Sequence, residues 1–161
     1  MKEDRRVTEF LRLLDIMDEL REKCPWDRKQ TNESLRKLTI EETYELADAI
    51  IEGDDQEIKK ELGDIMLHIV FYSRIGSEKG LFDIADVLEG INRKLTYRHP
   101  HVFGDVNITG GAKEVEENWE KLKLHEQDIY KPVLSGVPTS LPATIKANRI
   151  QEKVRGVGFD W

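Results

Sequence analysis

The feature that most constrains this 161-residue chain is a set of acidic residues placed symmetrically about Gly53. Glu45 lies eight residues before this glycine and Glu61 eight after it. Glu42 and Asp64 lie eleven residues before and after it. A glycine in such a position is typical of a helix end. If two helices fold back here, the acids lie at matching heights, roughly 12 to 16 Å from the turn, and each i, i+3 pair shares a face. The spacing predicts four carboxylates in a groove between antiparallel helices.

A groove lined by four carboxylates is a candidate metal site. The ionised groups repel one another, and the repulsion is costly unless a cation compensates it. Mg²⁺ or Mn²⁺ suits such a site, because both prefer oxygen ligands. The alternative is an ordinary solvated face, since 35% of the residues are charged. The symmetry about Gly53 favours the metal site.

The composition limits the kinds of partner that the chain can bind. A net charge of −7 argues against nucleic acid, because binding to a phosphate backbone needs a basic face. No apolar run approaches the roughly 20 residues that span a bilayer, and the first residues do not resemble a signal peptide, so we expect a cytoplasmic protein without a membrane partner. The single cysteine, Cys24, excludes an intrachain disulfide and a cysteine-based zinc site. The low apolar fraction of 39%, with long amphipathic helices, predicts a homodimer.

Apolar side chains recur at helical spacing along the whole chain, and no stretch alternates like a strand. The fold class is therefore predicted to be all-α. Cap residues are predicted at Asn32 for the second helix, at Asp54 or Asp55 for the third and at Asp83 for the fourth. The predicted helices cover residues 4–22, 33–52, 55–76, 84–97, 112–127 and 143–155.

Several residues have two interpretations. Trp26 is interpreted as a plug of the core, with a flat surface for a base as the alternative. Gly63, inside a helix, predicts a close approach by a neighbouring helix or by a ligand. His68 is interpreted as a packing residue or a support of the metal ligands, and direct metal contact is the alternative. His99 and His101 flank a proline, but no third zinc ligand is evident nearby.

Two pairs of residues are suited to a polyphosphate substrate. Lys94 and Arg98 share a helix face at i, i+4, and Trp119 and Lys123 do so on another helix. Cations neutralise the charge that develops on a leaving group, and a metal ion held by carboxylates bridges phosphate oxygens. No glycine-rich phosphate loop is present.

Five short motifs carry a resemblance to a known family. Glu41-Glu42-x-x-Glu45, followed by Glu61-x-x-Asp64, is similar to the signature of all-α nucleoside triphosphate pyrophosphohydrolases. Cys24-Pro25-Trp26-Asp27, Arg98-His-Pro-His-Val-Phe103 and the terminal Val157-Gly-Phe-Asp-Trp161 resemble the N-terminal half of bacterial MazG proteins. The resemblance extends over nearly the whole chain.

This resemblance implies a four-helix-bundle-like all-α fold that is completed by dimerisation. It implies Mg²⁺-dependent hydrolysis of nucleoside triphosphates to monophosphate and pyrophosphate. Carried over by position, it assigns the metal ligands to Glu42, Glu45, Glu61 and Asp64. Glu41 and Glu45 are assigned to catalysis, Glu41 as a supporting residue or a water-orienting base. The residues assigned to nucleotide contact are Lys94, Arg98, Trp119 and Lys123.

The domain organisation leaves alternatives open. We expect a MazG-like domain over residues 1–130 and a proline-rich segment with a short basic helix over residues 131–161. MazG proteins typically continue into a second, similar domain, so the chain is either a natural short form or an excised half. Its function is then that of the enzyme, or of an assembly module for a catalytic partner domain. A pyrophosphatase acting on phosphoribosyl-ATP or on a single deoxynucleotide is a third reading, because these enzymes share the acidic motif.

Overall fold

The computed structural model describes residues 4–112, 114–115, 118–119, 122, 133–156 and 158–159. All regular secondary structure within these residues is helical, and no strand occurs among them. The prediction of an all-α fold is confirmed. The helices with defined bounds are α1 (Arg5–Lys23), α2 (Pro25–Lys29), α3 (Asn32–Glu52), α4 (Asp55–Glu78), α5 (Ile84–Arg98), α6 (Pro100–Phe103) and α7 (Ala143–Arg155). The described residues from 111 to 122 are helical as well.

The start of α3 differs by one residue from the prediction. The cap is Thr31, whose hydroxyl accepts a hydrogen bond from the backbone N–H of Ser34 at 3.2 Å. The Ser34 hydroxyl in turn accepts one from the backbone N–H of Thr31 at 2.9 Å. Asn32, the predicted cap, is the first helical residue instead. The reciprocal pair satisfies two backbone donors at once, which favours threonine here although asparagine also caps helices well.

The turn between α3 and α4 forms as predicted. Gly53 has φ 70° and ψ 28°, a left-handed conformation that suits glycine. Its N–H donates to the carbonyl groups at the end of α3. The carboxylate of Asp54 then accepts hydrogen bonds from the backbone N–H groups of Gln56 and Glu57, which identifies Asp54 as the cap of α4. The glycine that ends α3 and the aspartate that caps α4 are adjacent, so the chain reverses here and α4 packs against α3.

The core of this hairpin is small and lies between α1, α3 and α4. Its buried apolar side chains are Met17, Leu35, Val70, Phe71 and Ile75. At the edge of the core, the Thr39 hydroxyl and the Tyr72 hydroxyl lie 2.7 Å apart and join α3 to α4. This packing holds the two hairpin helices in a fixed register.

Arg21 joins α1, α2 and α4. Its guanidinium donates to both carboxylate oxygens of Glu78, at 2.8 and 2.5 Å, and to the backbone carbonyl of Asp27. It also lies over the ring of Phe71, 5.5 Å from the centroid. Because the Arg21 side chain is only 8% exposed, these contacts replace most of its hydration.

The expectation for Trp26 is wrong, whereas the expectation of a close approach by a ligand or by a helix of another chain at Gly63 stays a prediction. Trp26, expected to plug the core, is 56% exposed, and its neighbour Asp27 is the buried residue of α2. At Gly63 a Cβ atom would meet no described atom within 4 Å. A close approach within the chain occurs at Gly76, where a Cβ would lie 2.8 Å from the ring of Phe82.

The chain divides into two compact units, Met1–Gly90 and Ile91–Trp161. Asp83 and Asp86 each accept a hydrogen bond from the other's backbone N–H at the start of α5, which agrees with the predicted cap at Asp83. The predicted domain boundary at residues 130 and 131 lies outside the described residues and stays a prediction.

Candidate metal centre

The α3–α4 hairpin carries the predicted acidic residues on both of its helices. Glu42 and Glu45 lie on α3, and Glu61 and Asp64 lie on α4. One carboxylate oxygen from each of Glu42, Glu45 and Glu61 lies within 4.8 Å of the other two. These three residues are called the acidic cluster below. The structure thus brings together acidic residues from two helices. This agrees with their placement at equal distances along the chain from Gly53.

Glu61 is the most buried member of the cluster. Only 2% of its surface is exposed, whereas Glu42 is half-buried and Glu45 is exposed. Its Oε1 accepts a hydrogen bond from Lys60 Nζ at 2.8 Å. Its Oε2 is buried and has no hydrogen-bond partner among the described residues. A buried acceptor without a donor is rare and costly, and a bound cation would remove that cost.

The electrostatics of the cluster point the same way. Partial burial raises the pKa of Glu42, and the negative charges of Asp64, Glu45 and Glu61 raise it further. Hydrogen bonds to Glu61 and Glu57 raise the pKa of Lys60. One exposed ammonium group therefore offsets part of the negative charge. Sequence reasoning missed Lys60, although a lysine directly before a predicted ligand was visible.

The donor set fits a metal ion. All three facing groups are carboxylates, the ligands that hard divalent cations prefer, and the orphan Oε2 of Glu61 supplies a buried lone pair. The cluster can therefore hold a metal ion. Asp64 is half-buried and close enough for its charge to raise the pKa of Glu42, and its role as a fourth ligand stays a prediction. Glu41 is exposed and is not one of the three clustered residues, so its catalytic role also stays a prediction.

His68 lies one helical turn beyond Asp64, and its surroundings agree with packing. Only 7% of its surface is exposed, and its ring contacts Tyr72 edge-on with centroids 6.5 Å apart. Its Nδ1 is buried and has no partner within the described part of the chain. Burial lowers the pKa of His68, and the charge of Asp64 opposes that shift.

The second unit contains the other predicted site residues. The guanidinium carbon of Arg98 lies 5.3 Å from the ring centroid of Trp119, and the His99 ring lies 4.8 Å from the same indole. Arg98, His99 and Trp119 are called the Trp119 cluster below. Lys94 is exposed on α5, and Lys123 lies outside the described residues. The sequence paired Trp119 with Lys123 by helical spacing. Its pairing with Arg98 depends on a tertiary contact that no local periodicity reveals.

None of the helices in the described residues is both long enough and apolar enough to cross a bilayer.

The fold and the acidic cluster define a class, namely all-α domains in which a helical hairpin presents facing carboxylates that could hold a metal ion. Comparison with known proteins makes the family specific. Residues 30–103, which contain the whole hairpin, match the family model of the MazG nucleotide pyrophosphohydrolase domain. Residues 30–103 of the chain therefore carry a MazG nucleotide pyrophosphohydrolase domain.

Similar proteins agree with the presence of this domain. Over 155 residues the chain is 43% identical to the nucleoside triphosphate pyrophosphohydrolase of Escherichia coli K12. It is 46% identical over 155 residues to the nucleoside triphosphate pyrophosphohydrolase/pyrophosphatase MazG of Thermotoga maritima. The alignments cover 93% and 94% of this chain but only 59% of either relative. The chain thus spans less than two thirds of their length.

A solved structure supports the fold. The crystal structure of a mazG-related protein from Thermotoga maritima superposes with a TM-score of 0.60 at 27% sequence identity. The match covers 70% of this chain and 96% of that one.

Proposed function

We propose that the chain hydrolyses nucleoside or deoxynucleoside triphosphates to nucleoside monophosphate and pyrophosphate, with Mg²⁺ as the cofactor. The observation that carries this proposal is the acidic cluster within a MazG domain. Three carboxylate oxygens from two helices lie within 4.8 Å of one another, and the most buried residue has an orphan oxygen. If the only role of these acidic residues were to face solvent, Glu61 would not be almost completely buried.

Glu42, Glu45 and Glu61 are proposed to bind the cation, and Asp64 to complete the ligand set from the same helix as Glu61. An all-oxygen set favours Mg²⁺, with Mn²⁺ as a substitute. Lys60 donates a hydrogen bond to one carboxylate oxygen of Glu61. This contact orients the carboxylate and leaves its other oxygen for the cation.

The reaction requires a water molecule to lose a proton while it attacks the α-phosphorus. When bound, Mg²⁺ supplies positive charge that neutralises phosphate oxygens and favours deprotonation of water. Glu41 and Glu45 are both exposed, so a carboxylate oxygen of either residue is available to hold that proton. The bond between the α-phosphorus and its bridging oxygen breaks, and pyrophosphate leaves with that oxygen.

Residues of the second unit are proposed to bind the nucleotide. Lys94, Arg98 and Lys123 are assigned to the polyphosphate, where positive charge opposes the charge of the leaving group. Trp119 is assigned to the base or ribose. The contact between Arg98 and Trp119 supports a shared role, because an aromatic face restricts a guanidinium without removing its charge.

A homodimer is the proposed assembly. The hairpin leaves large apolar side chains at the surface of this unit, and a second copy would cover them. These side chains, each between 38% and 83% exposed, are Ile40, Tyr44, Ile51, Leu62, Met66 and Ile69. Light scattering on the chain at micromolar concentration is expected to give twice the 18.7 kDa mass of one copy. A mass of 18.7 kDa would contradict the dimer.

The experiment that tests the function measures pyrophosphate release from a panel of ribo- and deoxyribonucleoside triphosphates, with and without Mg²⁺. We expect release only with the metal. Turnover that is equal in the presence of a chelator would contradict the proposal. Phosphoribosyl-ATP belongs in the panel, because a related pyrophosphatase with the same acidic motif would prefer it.

A second candidate function is an assembly module of a longer protein. The observation that favours it is the partial coverage, since the chain spans 59% of either relative. Under this alternative the chain dimerises but releases no pyrophosphate from any triphosphate. The panel assay and the light-scattering measurement together separate the two functions.

A further inference from the structure

His99 occupies a fixed position between α5 and α6. Its backbone carbonyl accepts hydrogen bonds from the N–H groups of Val102 at 2.9 Å and Phe103 at 3.0 Å. Its side-chain Nδ1 lies 2.7 Å from the carbonyl oxygen of Leu95. Because a carbonyl oxygen only accepts hydrogen bonds, Nδ1 carries the hydrogen. Both the backbone and the ring of His99 are therefore held by the ends of two helices.

The ring held in this way meets Trp119. The two ring centroids are 4.8 Å apart with planes inclined at 70°, an edge-to-face contact. The Arg98 guanidinium lies over the same indole at 5.3 Å, and the His101 ring lies 5.7 Å from His99 on a tilted plane. All four side chains are half-buried. The indole thus has two different neighbours that restrict its rotation.

We propose that His99 is a positioning residue, which orients the indole of Trp119 for contact with the nucleoside of the substrate. The inference rests on the proposed function, in which Trp119 binds the base or ribose. A ring that is already oriented loses less freedom when a base stacks on it, so the benefit appears in substrate affinity. His99 acts through Trp119 and does not act on the reacting phosphorus. Its loss should therefore raise KM and leave kcat nearly unchanged.

Two substitutions separate the ring of His99 from its hydrogen bond. His99→Asn keeps a side-chain N–H for the Leu95 carbonyl but removes the ring that meets Trp119. His99→Phe keeps a ring and removes the hydrogen bond. We expect His99→Asn to raise KM for the best triphosphate of the panel about 3- to 10-fold, the range expected for one aromatic contact, with kcat within about twofold of the parent. His99→Phe should recover most of the parent KM.

A double-mutant cycle tests whether His99 acts through Trp119. Trp119→Ala alone should raise KM more than His99→Asn, and the double variant should match Trp119→Ala, because the contact is already gone. The melting temperature of each variant is measured beside its kinetics. A KM effect that tracks a loss of folded protein, with no rescue by phenylalanine, would overturn the inference.

The inference and the proposed function fail in different ways. If the parent chain turns over no triphosphate, the proposed function is wrong and the inference falls with it. If the parent is active but His99→Asn leaves KM unchanged, only the inference is overturned. The same holds if the two substitutions multiply in the double variant, because independent residues would then contribute separately.

Discussion

The acidic cluster and the Trp119 cluster differ in how their polar groups are satisfied. In the acidic cluster a buried oxygen of Glu61 has no described partner, and partial burial together with the neighbouring carboxylates raises the pKa of Glu42. In the Trp119 cluster the His99 ring is hydrogen-bonded, and the indole contacts both a cation and an aromatic edge. The first arrangement is costly without a ligand. In the second arrangement the side chains are held by contacts within the protein.

This difference indicates what each cluster contributes to ligand binding. A cation among the carboxylates offsets their mutual repulsion, so the energetic cost of the facing charges contributes to the affinity for metal. Contacts that already exist in the free protein add little new energy on binding. They reduce the ordering that binding requires.

The largest effect is expected where the acidic cluster loses a charge. Glu42→Gln removes one carboxylate and should lower Mg²⁺-dependent pyrophosphate release by at least about 100-fold, because a ligand and its charge are lost together. Asp64→Asn should do the same. Glu52→Gln, an exposed residue of α3 outside the cluster, is the matched control and should stay near the parent rate. Near-parent rates for Glu42→Gln would contradict the contrast between the acidic cluster and the Trp119 cluster.

A smaller effect is expected in the Trp119 cluster. Arg98→Ala should lower kcat/KM roughly 10- to 100-fold, the value of a charged contact to phosphate. Arg98→Lys should not be mild, because an ammonium group cannot form a bidentate fork. Mg²⁺ binding measured without nucleotide should barely change in either variant. A parallel loss of Mg²⁺ affinity would show that the two regions are not functionally separate.

The sequence predicted the two clusters unequally, for a physical reason. Two helices joined by one turn have a register that follows from counting residues, so the facing of Glu45 and Glu61 could be read from Gly53. The contact of Arg98 with Trp119 joins segments whose relative placement depends on tertiary packing. Trp26 was mistaken for a core plug because an aromatic residue next to a proline carries no local sign of its exposure.

Helix caps illustrate a finer limit. Thr31 and Asn32 are both good cap residues, and propensity alone does not choose between neighbours. The choice depends on Ser34, whose hydroxyl returns the hydrogen bond to Thr31. The cap at Asp54 was one of two predicted candidates, and the left-handed turn at Gly53 leaves Asp54 as the first residue able to start α4.

Loss of the ion pair between Arg21 and Glu78 should lower the stability of the fold and leave metal binding unchanged. Glu78→Gln leaves the buried Arg21 guanidinium without its charged partner and should cost about 2 kcal/mol of unfolding free energy. Arg21 lowers the pKa of Glu78 below its ordinary 4.5. The folded state thus holds this proton less tightly than the unfolded state, so the stabilisation is present above pH 4.5 and is lost as pH falls through the folded pKa.

Chemical denaturation of the parent and of Glu78→Gln, at neutral pH and in steps below 4.5, measures this contribution. The difference between the two proteins should shrink on acidification. A difference that stays constant across these steps would contradict the assigned ion pair.

The smallest effect is expected at Gly63. No described atom lies within 4 Å of a Cβ at this position, so Gly63→Ala should stabilise the isolated chain by about 0.5–1 kcal/mol through helix propensity. Thermal melting at low protein concentration measures the change. Destabilisation that grows with protein concentration would instead place a second copy against this face of α4, and so sharpen the role of the hairpin surface.

Metal binding by the nucleotide-free protein tests the assignment of the acidic cluster as the metal site. Calorimetric titration of the nucleotide-free chain with Mn²⁺ should show a saturable event that Mg²⁺ displaces. Glu61→Gln should weaken this event at least about 10-fold, because it removes the buried, unpaired carboxylate oxygen. Glu57→Gln, which removes the other acidic partner of Lys60, should leave it unchanged. Equal Mn²⁺ affinity in the parent and in Glu61→Gln would contradict the assignment of the acidic cluster as the metal site.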